Sequence, residues 1–192
     1  MTQIFLFIAA IVNLSIVVGY SIYFFSKLSF FKSKTTVFNA PISIIICAKN
    51  EADNLKNYLP KVLEQDFPDF EVIVVNDQSQ DGTAALLKKF EKNYPNLVVV
   101  TIDEHINHWP GKKFALTLGI KTAKHEHLLL TDADCLPNSS SWAKQMTSNF
   151  NTSDIVLGYG GYQKRKGLLN KLIRFDTFIV AQQYLSYALS GF

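Results

Sequence analysis

Five apolar, β-rich runs recur along this chain at nearly constant spacing, and that recurrence limits the possible folds more than any other feature. The runs are Ile42–Cys47, Glu71–Asn76, Leu97–Thr101, His127–Thr131 and Asp154–Tyr159, starting 29, 26, 30 and 27 residues apart. Each interval leaves room for a helix, the connection that parallel neighbours require. ISIIIC, EVIVVN and LVVV are apolar without clean alternation, as strands covered on both faces are. The expected class is α/β: a mostly parallel sheet with helices on both faces. Asp81 can cap a helix carrying Ala84, Leu87 and Phe90. Pro110 suits the first turn of a helix carrying Phe114, Leu118 and Ala123, and Ser139–Phe150 is a less regular third. Pro60 predicts a kink or split in the first helical segment.

Ahead of the first run lies a different kind of segment. No charge appears from Met1 to Ser26, and Ile4–Phe25 is a 22-residue, mostly apolar stretch. As a helix it would measure about 33 Å, against a hydrocarbon core of about 30 Å. A secretory signal would begin with positive charge and end in small residues, whereas this run begins Met-Thr-Gln and ends in Tyr23, Phe24 and Phe25. The expectation is a transmembrane anchor over 1–26 and a basic juxtamembrane linker over 27–40. An α/β domain over 41–162 and a basic helical tail over 163–192 follow. Lys27, Lys32 and Lys34 follow the span and nothing basic precedes it, which places the soluble part on the cytoplasmic side of the cell membrane. The two cysteines, Cys47 and Cys135, build no disulfide framework and fit a reducing compartment.

Charge is unevenly spread. Residues 1–40 carry +3 and residues 163–192 carry +4, while 41–162 hold 11 basic and 15 acidic residues, or −4. An acidic folded centre between basic flanks is unlike a nucleic-acid binder. With 48% hydrophobic and 18% charged residues, the chain is not intrinsically disordered. In the tail, Leu168, Leu169, Leu172, Ile173 and Phe175 mix with Lys164, Arg165, Lys166, Lys171 and Arg174. That mixture suits an amphipathic helix on anionic lipid, or a helix packed on the domain with its cations solvated.

An open parallel sheet binds ligands beyond the carboxyl ends of its strands. Ala48-Lys49-Asn50-Glu51 follow the first run, Asp77-Gln78-Ser79-Gln80-Asp81-Gly82 the second, and Asp132-Ala133-Asp134-Cys135 the fourth. Acidic groups thus converge on one rim, which is unfavourable unless a cation or hydrogen-bond donors lie between them. With ten Asp in the chain, about half a DxD arises by chance, and Asp also starts turns. Position gives Asp132-Ala133-Asp134 its weight, because it follows Leu128-Leu129-Leu130 directly. If the segment stays extended, both carboxylates face one side and offer hard oxygen ligands for Mg²⁺ or Mn²⁺. Asp77 serves equally well as a turn or capping residue. Gly111-Lys112-Lys113 opens a helix, where it can meet a phosphate or simply be solvated. His105 and His108 share a loop with Asp103 and Glu104 and read as solvated, and Cys135 reads as a packing residue. Neither GxGxxG after the first strand nor GxxxxGK[ST] occurs, which excludes dinucleotide and P-loop chemistry of those types.

Three segments in order, ISIIICAKNEADNL, EVIVVNDQSQDGT and GKKFALTLGIKTAKHEHLLLTDADCLP, resemble family 2 glycosyltransferases of GT-A fold, membrane-anchored type. The resemblance implies a nucleotide pocket at Ala48, Asn50 and Glu51, with Asp77 on the base and Lys112 near the donor phosphates. It implies Asp132 near the ribose and Asp134 on the metal, with Asp132 beside it. It further implies transfer of a sugar from a UDP- or GDP-linked donor to a lipid or polysaccharide acceptor hydroxyl, with inversion and a divalent ion. Asp154 and Asp176 do not match the general-base motif, so the expectation is a donor half truncated before its base and acceptor region. A nucleotide-sugar-binding module without turnover and a membrane-tethered interaction domain are the alternatives.

Overall fold

The computed structural model describes residues 2–32, 36–103 and 111–191. They form two compact units, 34–156 and the pairing of 1–33 with 157–192.

In the first unit, β1 (Ile42–Ala48), β2 (Phe70–Asp77), β3 (Leu97–Ile102) and β4 (His127–Asp132) make one sheet in the order β3-β2-β1-β4. All its pairings are parallel. The central strands β1 and β2 are buried along almost their whole length, as their unbroken Ile and Val runs require. The sequence placed all four of these runs to within two residues.

Alternation along β1 sorts the helices. Ile42, Ile44, Ile46 and Ala48 face a core filled by α2 (Ala52–Leu63), α3 (Thr83–Glu91) and α5 (Trp142–Thr147). Ile45 points the other way, with Ile73 and Val75, and meets Ala115 of α4 (Lys112–Thr122). Helices therefore cover both faces, as expected. The α4 face is so tightly packed that a Cβ on Gly119 would sit 2.6 Å from Ile45 Cγ2 and 3.1 Å from Val75 Cγ2.

Two local expectations fail. α2 is not split at Pro60 but runs continuously from Ala52 to Leu63, so the expected split does not occur. Proline in a helix interior costs about 3 kcal/mol or more. Leu55, Leu59, Val62 and Leu63 flank it and are all buried, at about 1.5–3 kcal/mol each. The packing wins. The second failure is Asp154–Tyr159, which is not a strand. The division between the two units falls inside it, and Ile155 is 78% exposed. β-rich composition makes a strand only where a sheet edge receives it, and Gly158, Gly160 and Gly161 offer no side chain for packing.

At the amino end of the sheet the α4 face buries a polar knot. Glu71 Oε1 accepts from Ser43 Oγ and from the Lys124 amide, both at 2.7 Å, and the Lys124 ammonium lies 3.6 Å from Oε2. Burial pushes the Glu71 carboxyl up, but the Lys124 amide, the Ser43 hydroxyl and the Lys124 ammonium outweigh it and leave it below its ordinary value.

The second unit contains α1 (Thr2–Phe30) and α6 (Leu168–Ala188). α1 is 29 residues long, carries no buried residue, and is long and apolar enough to cross a membrane. Lys27 lies within it rather than after it. α6 packs on α1 through Tyr187, whose hydroxyl is 2.5 Å from that of Tyr20 and whose ring stands edge-on to Phe24 at 5.2 Å.

Candidate functional site

The carboxyl end of the sheet is assembled by loops that bond to one another. Leaving β1, Asn50 adopts a left-handed conformation (φ 57°), and leaving β2, Gln78 does the same (φ 53°). Asn is among the residues that tolerate this region best, because its short amide side chain can bond locally. Here the Asn50 amide donates to Ser79 Oγ at 2.9 Å, and Asn50 Oδ1 accepts from the Gln80 amide at 2.7 Å. The Glu51 amide donates to Thr83 Oγ1 at 3.0 Å, and the Glu51 carboxylate accepts from Asn54 Nδ2 at 2.7 Å. Asp81 takes the Thr83 amide on one oxygen (2.9 Å) and the Ala52 amide on the other (3.1 Å). Its capping role is thus as expected and extends to a second helix start. The Thr83 hydroxyl and these amides hold the Asp81 carboxyl below its ordinary value.

Opposite these loops a charged group gathers on the α4 face. Cys47 stands in register between Val75 of β2 and Asp132 of β4. Register partners in a sheet share a face, so Asp132 projects beside Cys47. Lys112, the first residue of α4, donates from Nζ to Asp132 Oδ1 at 2.5 Å. It follows Gly111, whose φ of 99° is a conformation that side-chain-bearing residues rarely adopt. Asp77, at the end of β2, keeps its side chain 7% exposed, with Lys49 Nζ 4.0 Å from Oδ2.

Electrostatics ties these groups together. Burial raises the Cys47 thiol, Lys112 opposes that rise, and Asp132 and Asp77 add to it. Donating a hydrogen bond to Asp132 raises the Lys112 ammonium, with the charge of Asp132, Cys47 and Asp134 contributing. Asp77 and Asp132 end parallel strands and Lys112 bonds Asp132, so these three belong to one edge of the sheet, with Asp134 two residues beyond it. Partial desolvation raises Cys135 as well, so neither thiol is activated, but Cys135 is exposed and is not the packing residue expected.

The sequence-predicted residues fare differently one from another. Asp134 does not follow Asp132 along an extended strand, because the chain turns at 133–134 and the Cys135 amide returns to the Asp132 carbonyl at 3.1 Å. Ala133 turns inward at 5% exposure while both carboxylates stay exposed, and the turn removes the strand alternation that was expected to align them. The Ala48 methyl lies in the core against α2, so that residue meets the edge through its backbone. Asn50 and Glu51 are engaged in the loop bonds above. Pro110, His105 and His108 fall outside the described residues. Sequence reasoning gave no role to Cys47, Lys49 or Thr83. The alternation Cys47–Lys49 off the end of β1 was a signal only for someone who already knew the register with β2 and β4.

Among the described residues no three His, Cys, Asp or Glu side chains form a metal cage. Two exposed carboxylates do suit a hard divalent ion, since Mg²⁺-type sites use one or two carboxylates and leave other positions to phosphate and water. The donor set fits such an ion bound jointly with a phosphate-bearing ligand.

This sheet, with helices on both faces and acidic residues at its carboxyl edge, defines a GT-A-type nucleotide-binding fold. Residues 43–185 match the family model for glycosyl transferase family 2, and the chain belongs to that family. It is 37% identical over 93 residues to a poly-beta-1,6-N-acetyl-D-glucosamine synthase of Staphylococcus epidermidis, covering 48% of this chain and 21% of that protein. It is 32% identical over 124 residues to glycosyltransferase AglE of Haloferax volcanii, covering 64% of this chain and 39% of the relative. The chain thus spans about a fifth to two fifths of the length of these relatives. Among solved structures, a mannosyltransferase from Pyrobaculum calidifontis in complex with GDP-Man and Mn²⁺ superposes with a TM-score of 0.55 at 25% identity, covering 66% of this chain and 38% of that one. TarS of S. aureus in complex with UDP gives 0.53 at 26% identity with the same coverage.

Proposed function

We propose that this chain carries the donor-binding half of a membrane-anchored glycosyltransferase. In this reading it takes a UDP- or GDP-linked sugar and, with Mg²⁺ or Mn²⁺, passes the sugar to an acceptor hydroxyl with inversion. The anchor is α1, with the catalytic unit on the cytoplasmic side. Asp77 accepts a hydrogen bond from the base, and the turn after β1 (Ala48, Asn50, Glu51) borders the nucleotide. Asp132 lies by the ribose, and Asp134, with Asp132 beside it, holds the metal. The bound ion supplies Lewis-acid stabilisation of the leaving diphosphate.

The supporting observation is geometric: Asp77 and Asp132 end parallel strands of one sheet, Asp132 stands in register beside Cys47, and Lys112 donates to it. Lys112 is the part that has to change partner. Its side chain is 66% exposed and that of Asp132 is 54% exposed. A pair so open to water is worth about 0–1 kcal/mol. A diphosphate can therefore recruit the ammonium at little cost, placing positive charge where negative charge grows as the glycosidic bond to the donor breaks.

Titration of the full chain in detergent with UDP- and GDP-sugars, with and without Mn²⁺, tests this. The expected outcome is metal-dependent binding that weakens at least ~10-fold in Asp134→Ala. No binding of any nucleotide sugar, or binding indifferent to both metal and Asp134, overturns it. Release of nucleoside diphosphate over time distinguishes a transferase from a binding module without turnover.

A further inference from the structure

We infer that the segment from Gln163 to Val180 is a lipid-surface element: its cations and exposed apolar side chains seat on an anionic bilayer beside α1. Five cations, Lys164, Arg165, Lys166, Lys171 and Arg174, occur between Gln163 and Phe175 with no acidic residue among them. They are held in place rather than trailing. The Arg165 amide donates to Asn170 Oδ1 at 2.7 Å, and Asn170 Nδ2 donates to the Gln163 carbonyl at 3.1 Å, which folds the basic stretch onto the first turn of α6. Gly167, at φ 114°, makes that reversal. The result is a hollow of about 430 Å³ lined by Lys164, Arg165, Lys166, Gly167 and Lys171.

The helix that follows is apolar where it meets solvent. Leu168, Leu169, Leu172, Phe175 and Phe178 are 73%, 71%, 55%, 64% and 53% exposed. Leu168, Leu172 and Phe175 stand at i, i+4 and i+7, one line along the helix. This apolar line, with Lys171 and Arg174 along one side and the single acidic residue Asp176 on the other, has water as a poor partner and an anionic headgroup layer as a good one. The far end of α6 is fixed by Tyr187 to Tyr20 and Phe24 of α1. Those aromatics lie near the Lys27 end of the membrane-length helix, where rings and lysines mark the lipid–water boundary. A surface charge of opposite sign attracts each added cation, so five act together.

The inference rests on α1 spanning the bilayer, and the test separates the two. The full chain is reconstituted in nanodiscs of phosphatidylcholine alone or with a third of phosphatidylglycerol, and amide hydrogen exchange is followed by mass spectrometry. The expected result is retention in both discs. Exchange over 164–178 should be ~10-fold or more slower in the anionic discs, an advantage lost in 0.5 M KCl and in the Lys164→Glu/Arg165→Glu/Lys166→Glu variant. Equal protection in both discs and in detergent means that another part of the protein or a second copy covers α6, and overturns the inference. Equal lack of protection overturns it as well. Loss of the chain from both kinds of disc removes the membrane reading of α1 and this inference with it. The wild-type comparison alone is decisive if the charge-reversed chain fails to fold.

Discussion

The two ends of β2 carry buried carboxylates on the same face, six residues apart, in opposite circumstances. Glu71, at the amino end, is enclosed by short bonds from a hydroxyl and an amide, with an ammonium behind. At the carboxyl end, Asp77 and its neighbour Asp132 are met by the tips of Lys49 and Lys112, side chains 54% and 66% exposed. A carboxylate saturated by nearby backbone and hydroxyl donors is part of the frame, and removing it leaves those donors stranded. One balanced by a long, solvated lysine, as Asp132 is by Lys112, can exchange its partner for a ligand. Burial alone does not separate the two ends, since the Glu71 and Asp77 side chains are both 7% exposed. The kind of donor does.

Removal of Glu71 is the hardest test of this contrast. Glu71→Ala strands the Ser43 hydroxyl and the Lys124 amide, and is expected to lower stability by ~3 kcal/mol, read from the urea midpoint in detergent. A loss below ~1 kcal/mol would show that the knot is not structural. Next comes the element that spans both ends. Gly119→Ala puts a methyl 2.6 Å from Ile45 Cγ2, and overpacking of this kind costs ~1–3 kcal/mol. Because α4 also carries Lys112, this variant is expected to weaken donor binding as well as stability, whereas Glu71→Ala acts mainly on stability.

At the other end the order of effects reverses. Asp77→Asn keeps the shape and is expected to change stability by less than ~1 kcal/mol while weakening nucleotide-sugar binding ~10-fold. A larger effect on the melt than on the titration would move Asp77 to the structural side. The smallest effect is on the acid limb. Both Glu71 and Asp81 titrate below their ordinary values in the folded chain. Their contribution is therefore complete above the unfolded-state pKa and is lost as pH falls through the folded one. Glu71→Gln and Thr83→Val should each flatten the decline of stability in that acid window and leave the slope near pH 7 unchanged, as followed by urea midpoints across pH.

Four strands, the two-sided helical cover and the acidic residues at the carboxyl rim were legible, because local periodicity and apolar runs report burial directly. The failures have a common cause. Pro60 was given its intrinsic penalty without the four buried side chains that outweigh it. Asp154–Tyr159 was given its β propensity without a sheet edge to receive it. Asp132 and Asp134 were given strand alternation across what is a turn. In each case a local preference met a partner distant in sequence.

Sequence by itself determined which segments are strands, that the sheet is parallel and covered, and that a membrane-length apolar run leads the chain. These follow from which side chains avoid water, a property each residue carries with it. Tertiary structure alone decided that Ser43, Glu71 and Lys124 close one end of the sheet. It also decided that Asn50 and Ser79 lock two loops, and that Lys112 reaches Asp132 across 20 residues of chain. Hydrogen bonds and ion pairs need donor and acceptor within about 3 Å, and no local pattern encodes where a distant partner will stand.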